Sequence, residues 1–218
     1  MTFEWIKTPK IIRKIFSNYH WNYNPAGNSV YITFDDGPIP EVTPWVLDQL
    51  KQYDAKATFF CIGDNIQKHP EVFKQIVESG HSIGNHTQNH HNGWSTTTQD
   101  YIDNAQLCQE NIDLALNDLK APNNTSLLFR PPYGKIKPPQ SALLRAKGYK
   151  IIMWDVLSVD YKTSVSKEKC LENVIKNIEP GSIIVFHDSL KAFPRLEYAL
   201  PKTLEFLKQH NYNCKAII

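Results

Sequence analysis

Short apolar runs alternate along the chain with longer segments whose apolar residues recur every three or four positions. The short runs are SVYITFDD (29–36), KATFFCIG (56–63), HSIGNH (81–86), SLLFRPPYG (126–134), KIIMWDV (150–156), GSIIVFHD (181–188) and CKAII (214–218). Their β-branched and aromatic content predicts strands, and their near-continuous hydrophobicity predicts burial on both faces, as in a parallel sheet. Helical spacing marks TPWVLDQLKQY (43–53), PEVFKQIVESG (70–80), TTQDYIDNAQLCQENIDLALNDLK (97–120), PQSALLRAKGY (139–149), SKEKCLENVIKNIEPG (166–181) and LPKTLEFLKQHNY (200–212). The result is about seven β–α repeats. Periodicity alone does not choose between an open doubly wound sheet and a closed β/α barrel. No Gly/Ser linker divides residues 29–218, which predicts one domain. Residues 1–28 form a basic arm, with Lys7, Lys10, Arg13 and Lys14 around Ile11, Ile12, Ile15 and Phe16. The arm is expected to pack on or flank the domain, an interfacial helix being the alternative.

Bulk properties narrow the classes. A chain of 218 residues, 41% hydrophobic and 21% charged, suits one sizeable globular domain. Its 24 basic and 22 acidic residues leave a net charge of +2, too balanced to argue for nucleic acid. No apolar run reaches membrane-span length. The start, MTFEWIKTPKIIRKIF, has neither an uninterrupted apolar core nor a small-residue cleavage site, so no secretory signal is read. A cytoplasmic location is the expectation, with an extracytoplasmic one left open. Cys61, Cys108, Cys170 and Cys214 are dispersed and read as free thiols.

Polar residues gather at strand ends. The first strand ends in Asp35-Asp36, the third leads to His86 and His90, and the fourth ends in Arg130, ahead of Tyr133. The fifth ends in Trp154 and Asp155, with Asp160 beyond, and the sixth ends in His187 and Asp188. Parallel α/β architectures place their sites at the carboxyl ends of strands, so five strands point to one rim. Adjacent carboxylates resist joint ionisation, and a turn uses only one. Either Asp35-Asp36-Gly37 is a turn with a spare carboxylate, or the two aspartates divide their work, one of them on a cation. His86 and His90 stand four apart, which on a helical turn sets two imidazoles on one face, about 6 Å apart at Cβ. Thr87 between them excludes H-E-x-x-H. Two histidines and one carboxylate are a common ligand set for hydrolytic zinc.

In this order, TFDDGP, HTQNH, RPPYG, WDVLSVDY and IVFHD resemble the five motifs of the polysaccharide deacetylases, the NodB-homology carbohydrate esterases, over residues 30–189. The resemblance implies a distorted (β/α)7 barrel and a hydrolase that removes N-acetyl groups from amino-sugar saccharides such as peptidoglycan or chitooligosaccharide. It implies a divalent cation on Asp36, His86 and His90, zinc first, with cobalt, nickel or manganese as alternatives. It implies Asp35 as general base, held ionised and oriented by Arg130, with the Tyr133 N–H at the oxyanion. His187 matches the general acid and Asp160 the carboxylate that orients it. Tyr133, Trp154, Tyr161 and Val185 are the expected substrate-binding residues.

The fourth motif departs from the usual D-x-x-D-W: Leu157 replaces the first Asp and Tyr161 the Trp. In the fifth, Val185 replaces the usual Leu. A changed acyl pocket or substrate preference is expected. The expected partner is a saccharide bearing N-acetyl groups, acted on by a monomer with no nucleic acid and no transmembrane segment. Hydrolysis of small linear or cyclic amides, or a non-catalytic carbohydrate-binding role, are the alternatives.

Overall fold

Seven strands of one curled sheet run parallel in a computed structural model that describes residues 5–23, 27–120 and 126–218. They are β1 (Ser29–Asp35), β2 (Ala57–Cys61), β3 (Ser82–Asn85), β4 (Leu128–Phe129), β5 (Lys150–Ile151), β6 (Val156–Leu157) and β7 (Ile183–His187). Their spatial order is β5-β4-β3-β2-β1-β7-β6, and β8 (Asn213–Cys214) pairs with the start of β1. The helices are α1 (Lys10–Ile15), α2 (Thr43–Gln52), α3 (Gly63–Lys68), α4 (Pro70–Glu78), α5 (Thr98–Asp118), α6 (Pro138–Ala146), α7 (Lys167–Ile175) and α8 (Phe193–Gln209). The architecture is a half-barrel of the (β/α)7 kind, as expected from the motif order.

The central strand shows why its sequence is apolar throughout. Successive side chains of a strand alternate between its two faces. Val30, Ile32 and Phe34 pack outward in a core that includes Leu50 of α2, Phe73 and Ile76 of α4 and Leu204 of α8. Phe34 stacks on its register partners Phe59, at 5.0 Å, and Phe186, at 6.2 Å. Tyr31 faces inward, against an interior cluster that contains Phe60, Leu128, Ile152 and Ile183. Thr33 and Asp35 share that inner face, where Arg130 reaches both.

Four elements differ from the sequence reading. The run KIIMWDV is not one strand: β5 ends at Ile151 and β6 begins at Val156. Asp155 therefore precedes β6 and lies at the amino end of the sheet, accepting from the Ile183 N–H at 2.9 Å, away from the rim. Residues 63–68 form α3, too short for periodicity to reveal. Helix α8 begins at Phe193 and runs through Pro201. Leu196 and Leu200 bury on the same helix as Leu204 and Leu207, and that packing overrides the proline. Only Cys214 of CKAII belongs to a strand.

The edge strands β5 and β6 are consecutive in sequence, and the arm fills the seam between them. The His20 N–H donates to Ile151 O and the Met153 N–H to His20 O. Across the seam, the Leu157 N–H donates to Ile6 O and the Thr8 N–H to Asp155 O. Residues 1–4 and 24–26 of the arm lie outside the described residues. Lys7 anchors the arm through its Nζ, 2.8 Å from Asp155 Oδ2 and 2.9 Å from Glu179 Oε1. Burial pushes the Asp155 carboxyl up from its ordinary value, and Lys7 offsets part of that rise. Lys7→Met strips this buried carboxylate of its nearer cation, leaving Arg13 Nη1 at 3.9 Å, and is expected to cost about 2–3 kcal/mol. The urea midpoint measures it, and an unchanged midpoint would mean that Lys7 does not secure the seam.

Candidate active site

Asp35 and Asp36 point to different partners. Asp35, the last residue of β1, stands in register with Phe60 and His187. Its Oδ1 accepts from Arg130 Nη1 at 2.6 Å. Arg130 is fully buried and also donates to Thr33 Oγ1, Ile152 O and Met153 O. Its guanidinium lies 4.1 Å from the centre of the Phe60 ring. Four hydrogen bonds and a ring face thus offset the cost of burying this cation.

Asp36 has φ 84°, which carries its side chain away from Asp35. Its Oδ1 lies 3.3 Å from His90 Nε2 and 3.8 Å from His86 Nε2. That oxygen is buried and makes no hydrogen bond. Burial raises the Asp36 carboxyl, but His90, His187 and His86 outweigh it and hold the group below its ordinary value.

The histidines do not sit on a helical turn, contrary to the spacing argument. They occupy a loop after β3, with left-handed φ at Thr87 (64°) and His90 (55°). Polar bonds hold this loop: the Thr87 N–H donates to Asn85 Oδ1 at 2.9 Å, and the Gly63 and Asp64 N–H groups donate to Thr87 O and Gln88 O. His86 Nδ1 lies 2.8 Å from Arg130 O. A carbonyl only accepts, so Nδ1 carries the proton and Nε2 keeps its lone pair. His90 Nδ1 lies 3.0 Å from Tyr133 Oη, and the two rings are 4.5 Å apart. Burial pulls the His86 pKa down to about 4, which favours the neutral, ligating form. One donor atom from each of Asp36, His86 and His90 lies within 4.8 Å of the others. An unsatisfied carboxylate oxygen facing two imidazole nitrogens fits a cation, which supplies the missing partner.

A second pair lies across β7. Asp160 grips His187 twice, accepting from its backbone N–H at 2.8 Å and from ring Nδ1 at 2.7 Å. His187 Nε2 is thereby left as the ring nitrogen that Asp160 does not engage. Burial alone would depress the His187 imidazolium, but Asp160 outweighs it and raises the pKa to about 9. Tyr161 stands edge-on to the His187 ring at 4.9 Å. Val185 packs with Leu157 and Val159 in a small apolar cluster that Trp154 and Tyr161 flank. Leu157, at one departure in the fourth motif, is the register partner of Val185, so these two substituted positions meet in one wall, with Tyr161, the third, beside it. Tyr133 has φ 60° and is 60% exposed. No acceptor engages its backbone N–H among the described residues.

Sequence reasoning missed the groups that brace these residues. Thr33, Asn65 and Thr43 looked like ordinary strand and helix positions. Asp188 was visible at the end of β7 but had no evident partner. It is buried beneath the Gly37 turn, and burial pushes its carboxyl up to about 8.

Comparison with known proteins bears on this geometry. The polysaccharide deacetylase family model matches residues 22–152, more than half of the chain. Over 169 residues the chain is 41% identical to a peptidoglycan-N-acetylglucosamine deacetylase of Bacillus cereus, covering 77% of this chain and 58% of that relative. It therefore spans less than two thirds of that protein. It is 35% identical to the chitooligosaccharide deacetylase of Azorhizobium caulinodans over 164 residues, 74% of each chain. The solved structure of the Bc1960 peptidoglycan N-acetylglucosamine deacetylase superposes with a TM-score of 0.85 at 31% identity, covering 96% of this chain and 95% of that one. The family match stops short of Asp160 and His187, which the fold brings to the same rim.

The cluster makes a direct prediction. Asp36→Ala is expected to abolish stoichiometric uptake of divalent metal, read by metal analysis after dialysis. Retention of one equivalent at wild-type affinity would reassign the ligands.

Proposed function

The chain belongs to the polysaccharide deacetylase family, and on that premise we propose that it is a metal-dependent hydrolase that removes N-acetyl groups from glycans containing N-acetylglucosamine. The observation that carries this reading is the division of labour between neighbouring carboxylates: Asp35 on Arg130, Asp36 on the histidine pair. A turn with a spare surface aspartate would show neither partner. The peptidoglycan and chitooligosaccharide relatives differ in polymer but share the acetamide of N-acetylglucosamine, and that group is the proposed target.

Asp36, His86 and His90 would hold the cation. Two imidazoles and one carboxylate suit zinc, with cobalt, nickel and manganese as competing occupants. When bound, the ion supplies Lewis acidity, which acidifies water and draws charge onto an acyl oxygen. Asp35, ionised against Arg130, accepts a proton from the attacking water as its oxygen bonds to the acetyl carbon. The Tyr133 N–H donates to the oxygen on which charge develops. His187, protonated, gives its proton to the nitrogen as the C–N bond breaks, because an amine leaves poorly as an anion. Acetate and a free amino sugar result. Leu157, Val159 and Val185 line the apolar wall proposed to receive the acetyl methyl group.

Acetate release from chitooligosaccharides and peptidoglycan fragments, with and without chelator, tests the reading; release from neither substrate would refute it. Asp35→Asn is expected to keep the metal and lose about 10²–10⁴ in kcat. Unimpaired turnover in that variant would move the base elsewhere. The pH profile tests the acid. His187 donates only while protonated, so kcat/KM should fall as pH rises through about 9. Asp160→Asn removes the charge that raises the His187 pKa, leaves burial to lower it, and should move that falling limb to lower pH. A limb that stays in place, at full activity, would take the pair out of the mechanism.

A further inference from the structure

At the rim, the buried carboxylate of Asp188 has no task in the chemistry above. Asp36 is left-handed, at φ 84°, a conformation that a non-glycine residue leaves unless its surroundings hold it. Its peptide surroundings are held at four points. Asn65 Nδ2 donates to Asp36 O at 2.7 Å. The Ile62 N–H donates to Gly37 O at 3.0 Å, and the Asp188 N–H to Asp35 O at 3.1 Å. Asp188 Oδ1 accepts from the Gly37 N–H at 3.0 Å.

The other oxygen of Asp188 secures the next turn of chain. Oδ2 accepts from the Thr43 hydroxyl at 2.6 Å, and Thr43 Oγ1 in turn accepts from the Ile39 N–H at 2.8 Å. Asp188 is 1% exposed and Thr43 fully buried. The fit is close: a Cβ added at Gly37 would lie 2.0 Å from Asp188 Oδ2, so only glycine leaves room for this carboxylate. Burying a carboxyl is costly, and both of its oxygens are spent on the turn that carries Asp36.

We propose that Asp188, together with Asn65, is a positioning residue that clamps Asp36 in the left-handed conformation its carboxylate needs to face His86 and His90. Asp188 touches neither imidazole; it acts through the Gly37 peptide. Freed of the clamp, Asp36 relaxes toward negative φ and its Oδ1 turns away from the two Nε2 atoms. The inference rests on the reading of Asp36, His86 and His90 as a cation site.

The test is zinc affinity, measured by competition with a chromophoric chelator, on wild-type protein and on Asp188→Ala, Asp188→Asn and Asn65→Ala. Asp188→Ala should bind zinc about 10–100-fold more weakly, the usual effect of losing a group that orients a ligand. Asn65→Ala should weaken binding about 10-fold. Asp188→Asn should recover most of the affinity, since its oxygen can accept from Gly37 and its amide can donate to Thr43. At saturating zinc, kcat of Asn65→Ala should return toward wild type, because Asp35 and His187 are untouched; a general loss of structure would depress kcat at every zinc concentration. Folded Asp188→Ala with wild-type affinity overturns the clamp. Should that variant fail to fold, unweakened zinc binding in Asn65→Ala overturns it instead. Wild-type protein that takes up no zinc would refute the cation site, and the clamp with it, whereas wild-type uptake with unweakened variants refutes the clamp alone.

Discussion

The guanidinium of Arg130 is the hub on which the interior depends. It lies on the inner face of the half-barrel and bonds to Thr33 and Asp35 of β1 and to the carbonyls of Ile152 and Met153 in the segment after β5. Its own carbonyl accepts from His86. One residue thus joins the central strand, the seam and the histidine loop. A buried ion pair gives little net stability, because desolvation cancels most of the attraction, yet removing one partner costs about 3–5 kcal/mol. The arrangement therefore acts less as a source of stability than as a constraint. Asp35, the loop and the seam must adopt one relative placement or leave a charge stranded.

Backbone strain has collected around that hub. Eight described non-glycine residues have positive φ, and three of them, Asp54, Lys120 and Asn211, simply follow helices. The other five are Asp36, Thr87, His90, Tyr133 and Val159, all in loops at the rim. Thr87 and Val159 are β-branched, for which this conformation is least favourable. The strain persists because each loop is tied down by buried polar bonds, such as the Thr87 N–H on Asn85 and the Asp160 grip on His187. Strained, over-determined loops at a site are held in one geometry before any ligand arrives.

Much of this was legible in the sequence, for identifiable reasons. The apolar runs of β1, β2 and β7 are long and buried on both faces, so they stand out. The polar residues at their ends stand out for the opposite reason, being out of place after a hydrophobic run. What escaped depended on three dimensions. The i, i+4 histidines converge through a left-handed loop, and spacing alone cannot distinguish that from a helical turn. The KIIMWDV run hides a break because Met153 and Trp154 are as apolar as a strand; Met153 is buried with arm residue Trp21, and Trp154 is half-buried between the interior and the rim wall. Asp155 looked like a rim residue until the break put it at the opposite end of the sheet. Asp188, Asn65 and Thr43 bond to backbone atoms distant in sequence, and no local pattern records such partners.

The seam has a consequence for the order in which the molecule is made. Residues 6–8 bond to residues 155–157, and residue 20 to residues 151–153. The arm leaves the ribosome well before residues 151–157, its partners. Throughout that interval it has nothing to pair with, and β5, once made, presents an open edge. Loop closure over so long a span is slow, and the pairing of β1 with β7 closes a span as long, so the seam and the central sheet share that delay. Trp154, in the same segment and against the wall beside His187, links that wall to the closure of the seam.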